Sequence, residues 1–232
     1  MNNFIFNNEK SSDYGIYISG GGTFNFPERD VGKVSVEGRN GDLIIDNGRF
    51  KNIAITYPAF IRSKFKKNID GARMWLLKDS GYHRLEDTYH PEIFRMARFV
   101  SPTNFTTRFL NLSGECDLVF DCKPQRFLKI GETPIETTEK IIMKNPTPYE
   151  ALPVIRVYGT SGTLMVGNKI IKLTGIEEYV DIDSEIQSAH KGTNNCNSKM
   201  IGDFPVLCVG ETGIKFEGDI DKIQVIPRWW FA

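Results

Sequence analysis

The sequence predicts a mainly β protein of two domains: an N-terminal β-barrel or sandwich-like domain carrying one helix, and a C-terminal antiparallel β-sandwich. Three observations predict it. Apolar side chains alternate at Ile53, Ile55 and Tyr57, and again at Cys116, Leu118, Phe120 and Cys122, the period-two signature of strands with one buried face. Short β-prone runs recur along the chain, separated by Gly, Asn and Pro. Only residues 70–79 show helical spacing, with Asn68 or Asp70 as N-cap, Ile69, Ala72, Trp75 and Leu76 on one face, and Ser80-Gly81 as the stop.

Taken in order, residues 4–65 alternate β-prone runs with the turn signals Gly20-Gly21-Gly22, Asn40-Gly41 and Asn47-Gly48. Residues 33–45 read as two strands joined by a polar loop, because Asn-Gly supplies the positive φ that tight hairpins require. That loop is too charged to be core. After the helix, strands are expected at 82–85, 92–100, 105–112, 115–123 and 135–143. Pro124, Gly131, Pro134, Pro146 and Pro148 punctuate a seam, which divides the chain into domains 1–140 and 141–232. Beyond it, strands are expected at 154–158, 163–166, 169–173, 178–182, 213–216 and 222–227, with Gly159-Thr160-Ser161-Gly162-Thr163 as a hairpin loop between the first two.

The closing Pro227, Arg228, Trp229, Trp230 and Phe231 place three large aromatics where most chains fray. Leaving each in water forfeits roughly 1.5–3 kcal/mol, so the segment is expected to be a final strand anchoring the second domain's core. A sugar-stacking platform is the alternative reading.

The 232 residues can bury roughly 70% of the unfolded surface, enough for a core without disulfides. Lys and Arg number 29 against 29 Asp and Glu, which argues against affinity dominated by contacts to a polyanion. Four scattered cysteines fit thiols buried as small hydrophobes in a reducing compartment. The first eight residues carry no basic segment and only a three-residue apolar run, so no signal peptide is expected, and no apolar run reaches the length of a membrane span.

No constellation points to catalysis, and no metal or cofactor is expected. Gly159 to Thr163 lacks the closing glycine of a nucleophile elbow and sits between strands. His83, Glu86, Asp87, His90 and Glu92 crowd together but match no metal-ligand spacing, which leaves a polar loop or interface as the expectation. Ser19 and its three glycines precede no Gly-Lys-Ser/Thr, so they read as a turn. Asp181, Asp183 and Glu185 read as carboxylates alternating on an exposed strand face.

Three stretches together carry a family resemblance: Ser12-Asp13-Tyr14-Gly15; Val36-Glu37-Gly38-Arg39-Asn40-Gly41-Asp42-Leu43 with Asp46-Asn47-Gly48-Arg49-Phe50; and Gly202-Asp203-Phe204-Pro205-Val206-Leu207 with Ile226-Pro227-Arg228-Trp229-Trp230. In order and spacing they resemble the distal tail protein, Dit, of long non-contractile phage tails, frequently carried by prophages of Gram-positive bacteria. The resemblance implies an N-terminal domain that closes into a homohexameric ring, single or stacked, and a galectin-like C-terminal sandwich. It further implies a virion tail-tip hub made in the host cytoplasm. One ring face would join the tail tube protein and the other the tail-associated lysin, tail fibre or receptor-binding protein. DNA would pass through the channel without specific binding, with no membrane involved. Val36, Glu37, Gly38, Arg39, Asn40, Gly41 and Asp42 are the expected interface loop, and Pro227, Arg228, Trp229 and Trp230 the expected structural anchor. The His-x-Asn-Pro-Arg and Trp-Gly-x-Glu motifs of sugar-binding galectins are absent, so a carbohydrate-binding module remains the alternative function and a docking surface the expectation for the sandwich.

Overall fold

The computed structural model describes residues 1–20, 24–102, 106–108 and 112–232, with only the backbone of 101 and 102. Gly21 and Gly22 of the glycine turn, and half of the strand expected over 105–112, lie outside the described residues. The fold is mainly β, built of curled antiparallel sheets. It divides into two compact units, 1–126 with Ala232, and 127–231.

In the first unit the strands are β1 (Phe4–Phe6), β2 (Glu9–Lys10), β3 (Ile16–Ile18), β4 (Arg29–Val34), β5 (Leu43–Phe50), β6 (Ile53–Ile61), β7 (His83–Asp87), β8 (Ile93–Pro102), β9 (Thr106–Arg108) and β10 (Ser113–Cys122), with helix α1 (Phe65–Leu76) between β6 and β7. The main sheet runs β2-β1-β7-β8-β10-β6-β3, with β9 on β10, while β4 and β5 form a separate two-stranded sheet. The alternation seen in the sequence sets the core: Ile53, Ile55, Tyr57, Ala59 and Ile61 of β6 are buried, as are Leu118, Phe120 and Cys122 of β10. Aromatic rings fill its centre. Phe4 stacks on Tyr57 and Trp75 with centroids 5.7 and 5.6 Å away, and meets Phe120 edge-on at 5.4 Å. The polar tips are satisfied, for Trp75 Nε1 donates to Phe6 O at 3.1 Å and Tyr57 Oη to Asp87 Oδ2 at 2.6 Å.

The helix begins five residues before its expected start. Its N-cap is Lys64 in left-handed conformation, with no side-chain cap bond, and its real anchor is Phe65 packed beneath the first turn. Asn68, expected to cap, lies inside the helix and donates to Ser63 O. The expected face is there: Ala72, Trp75 and Leu76 are buried, with Ile69 packed against the same core. Asn47-Gly48, expected as a turn, lies within β5 as a bulge, three residues opposing Asp30 between the pairs Arg29–Phe50 and Val31–Asp46.

The second unit begins within β11 (Arg126–Leu128) and goes on with β12 (Ile135–Thr137), β13 (Ile141–Asn145), β14 (Val154–Val166), β15 (Lys169–Leu173), β16 (Tyr179–Asp183), β17 (Ser188–Lys191), β18 (Asn194–Asn195), β19 (Met200–Ile201), β20 (Gly210–Ile226) and β21 (Trp230–Phe231). The chain divides ahead of the expected residue 140 because Leu128 and Ile135 already pack on the second core and β12 pairs with β20. The hairpin loop expected at 159–163 is instead the middle of β14. That 13-residue strand runs beside the 17-residue β20 and bends with it, through register shifts at Tyr158, Gly159 and Ser161. Glycine is required there: a Cβ on Gly159 would lie 2.1 Å from Asp219 O, and one on Gly162 2.3 Å from Glu217 O. The bend lets both halves of each long strand face one core, in which Ile155 and Val157 meet Leu164, Val166, Ile214 and Ile223.

Candidate functional site

The ribbon of β4 and β5 is where the expected interface loop lies. Its stem is held by charge: Lys51 reaches Glu28 at 3.1 Å, Arg49 reaches Asp30 at 2.7 Å, and Arg29 contacts Asp46 at 3.4 Å while sitting over the Phe50 ring. The Arg49 guanidinium holds the Asp30 carboxyl below its ordinary range. Cross-strand pairing places Gly32 opposite Ile45 and Val34 opposite Leu43, so Val34, Leu43 and Ile45 form an apolar strip on one face near the loop end of the ribbon. Lys33 and Ile44 share the other face. Among the described residues no third strand or core covers either: Val34, Leu43, Ile44 and Ile45 are 44, 42, 54 and 50% exposed.

The loop joining the strands is exposed throughout, with Val36 at 41% and Glu37, Gly38, Arg39, Asn40, Gly41 and Asp42 all in solvent. Gly38 and Gly41 take positive φ of 78° and 80°, and Arg39 N donates to Val36 O at 3.1 Å to close the turn. Arg39 and Lys33 make no ion pair among the described residues.

The C-terminal segment is the opposite case. Pro227 is buried, and Trp229 is 5% exposed within the second unit's core. Its backbone is clamped: Leu128 N donates to Trp229 O at 2.9 Å, Arg228 N donates to Gly131 O at 2.8 Å, and a Cβ on Gly131 would stand 2.5 Å from Trp229 N. Arg228, at φ 57°, lays a guanidinium fork on Asp183 at 2.7 and 2.9 Å and touches Glu185 at 3.4 Å. Trp230 stacks on Tyr149 at 4.5 Å and donates Nε1 to Glu150 O at 2.9 Å.

Two carboxylates expected on an exposed face are therefore buried and paired. Asp181 is 5% exposed and accepts a fork from Arg156 at 2.7 and 2.8 Å, Arg156 also lying over Tyr179. Burial pushes the Asp183 carboxyl up, and Arg228 with the Glu185 and Ile186 N–H groups more than reverses it, so it titrates below the ordinary range. The partners are 25 and 45 residues away in sequence, out of reach of any local pattern.

Other chemistry singled out in the sequence has structural partners. Ser161 Oγ faces Asp219 at 3.3 Å within β14. Burial raises both the Cys116 and Cys122 thiols to about 12, so both stay protonated. Asp87 accepts from Tyr57 and from the N–H groups of Tyr89 and His90, while His83 contacts Asp79 and Glu86 contacts Arg84. Among the described residues no three such groups converge as a metal site, and no helix is long and apolar enough to cross a membrane.

No protein-family model matches the sequence, and no curated protein matches it. Solved structures do. The Dit protein of phage SPP1, described as a paradigm of the hub adsorption apparatus in Gram-positive-infecting phages, superposes with a TM-score of 0.78 at 16% identity, over all of both chains. A chain of the phage p2 baseplate in its activated conformation with Sr aligns at TM-score 0.54 and 10% identity, over 97% of each chain. A second, with Ca, aligns at 0.52 and 9%, again over 97% of each. At these identities the likeness establishes the fold, and along its whole length this chain has the fold of a phage distal tail protein.

Proposed function

We propose that the protein is a structural hub of a phage tail tip, assembling as a homohexameric ring through its first unit. The observation that carries this is the unsupported ribbon. A two-stranded hairpin is at best marginally stable alone in water, and an apolar face such as Val34, Leu43 and Ile45 is kept only where something covers it. A ring supplies that cover from a second copy, and its head-to-tail interfaces need two unlike patches on each subunit. The end-to-end likeness to SPP1 Dit supports the same reading.

The ring would join the tail tube protein on one face and the lysin, fibre or receptor-binding apparatus on the other, leaving a channel for DNA, in the virion. The role is scaffolding rather than catalysis. The carbohydrate-binding alternative loses its motivating platform, since Trp229 lies in the core and one face of Trp230 is taken by Tyr149. Negative-stain electron microscopy of the purified chain tests the proposal: six-fold rings with a central opening are expected, and compact single particles at every concentration, even beside tail partners, would overturn it.

A further inference from the structure

Two Asn-Gly pairs stand in the ribbon, Asn40-Gly41 and Asn47-Gly48, and their backbones set them apart. The chemistry latent in such a pair is intramolecular. The side-chain amide of an asparagine can be attacked by the backbone nitrogen of the next residue, and glycine, having no Cβ, hinders this least. Nucleophile and amide are already held in one molecule, which supplies much of the rate. The attack needs that nitrogen unengaged and the local backbone free to turn.

Asn40 and Gly41 meet both conditions. They are exposed, in the irregular loop between β4 and β5. Among the described residues neither the Asn40 side chain nor the Gly41 N–H makes a hydrogen bond, and nothing stands within 4 Å of where a Gly41 Cβ would be. Asn47 and Gly48 are also exposed but meet neither condition. They are held within β5, where Gly48 N donates to Asp46 Oδ1 at 2.8 Å and the Asn47 amide faces the Asp30 carboxylate.

We propose that Asn40 is a self-modification site whose conversion retires the ribbon loop from assembly. Gly41 N gives up its proton and attacks Asn40 Cγ. The new N–Cγ bond forms, the Cγ–Nδ2 bond breaks, and ammonia leaves with that proton, so nothing is oxidised or reduced. Water then opens the five-membered imide at either carbonyl. The product is aspartate at position 40, or its isomer with the main chain running through the former side-chain carbonyl. Either product adds a negative charge between Glu37 and Asp42, next to Arg39, and the isomer also lengthens the turn by a methylene. The free chain is the reactive form, since a copy seated on the loop restricts its turning. The consequence for assembly rests on the ring reading above; the conversion itself does not.

The experiment ages the purified full-length chain at neutral pH, below its unfolding temperature, and maps it by mass spectrometry with electron-transfer fragmentation, which separates the two products. Position 40 is expected to convert at least about tenfold faster than position 47, where the bond to the Asp46 carboxylate must first be broken. Equal rates at the two positions, or a position 40 that stays an amide, overturn the site. Asn40→Gln, which would have to close a six-membered ring, is the stable control. In sedimentation velocity, a folded Asn40→Asp is expected to raise the assembly midpoint about threefold, the scale of one exposed charge. The aged parent should match or exceed that shift, and aged Asn40→Gln should show none. An aged parent and a folded Asn40→Asp that both assemble like the fresh parent overturn the consequence and leave the ring intact. A fresh parent that never assembles removes the ring reading and that consequence together, while the mapping still decides the site.

Discussion

The ribbon and the C-terminal segment are both rich in large apolar residues, both lie outside the regular run of long strands, and they have opposite fates. Trp229 is sealed by its own chain, with its backbone bond to Leu128, the Arg228 backbone bond to Gly131 and the Arg228–Asp183 fork all at 2.7–2.9 Å. Leu43, Ile44 and Ile45 sit on a two-stranded stem whose side-chain ties are ion pairs at the surface, most worth about 0–1 kcal/mol. One region stabilises the fold and the other contributes little to it. If the ribbon's uncovered apolar face serves assembly, as proposed above, substitutions can separate the two roles.

The largest effect is expected from Trp229→Ala, which empties the second core and costs about 3–5 kcal/mol, read from urea or thermal unfolding of that unit. Arg228→Ala comes next, at about 3 kcal/mol, because it leaves the Asp183 carboxylate buried without its fork. If that variant unfolds like the parent at neutral pH, the latch contributes nothing and the contrast between the regions weakens.

The same pair fixes a pH dependence. The Asp183 carboxyl titrates lower in the folded protein than in the unfolded chain, so its contribution is fully present above the unfolded value, about 3.9. That contribution is lost as pH falls through the folded value. The urea midpoint of the parent should therefore drop more steeply below about pH 4 than that of Arg228→Ala, whose Asp183 no longer has the cation that holds it low. Parallel acid limbs would contradict this.

The smallest effects on folding are expected in the ribbon. Ile45→Asp should change unfolding by less than about 0.5 kcal/mol while abolishing assembly, and Arg39→Ala with Asp42→Ala should weaken assembly with the monomer still folded. Sedimentation velocity and denaturation on the same samples check both. A ribbon variant that unfolds the chain would erase the distinction drawn here.

Much of the fold was legible because strand burial has a period of two: β6 and β10 could be read directly from Ile53 to Tyr57 and from Cys116 to Cys122. What escaped was whatever depended on distant partners. Gly159 and Gly162 look like a loop until β20 is laid against them, and Asp181 and Asp183 look exposed until Arg156 and Arg228 arrive. The early start of α1 was hidden because Phe65 packing, not a capping side chain, fixes it. The interface loop was visible as a charged hairpin, but the apolar face of its stem was not, since only the register of β4 against β5 puts Val34, Leu43 and Ile45 together.

The central claim is that the ribbon is made for a second copy of the chain, and native mass spectrometry of the parent beside Ile45→Asp tests it most directly. The account predicts a parent species at six times the 26.4 kDa chain mass and a folded, monomeric variant. A parent that remains monomeric up to high concentration, or a folded Ile45→Asp that assembles equally well, would contradict it.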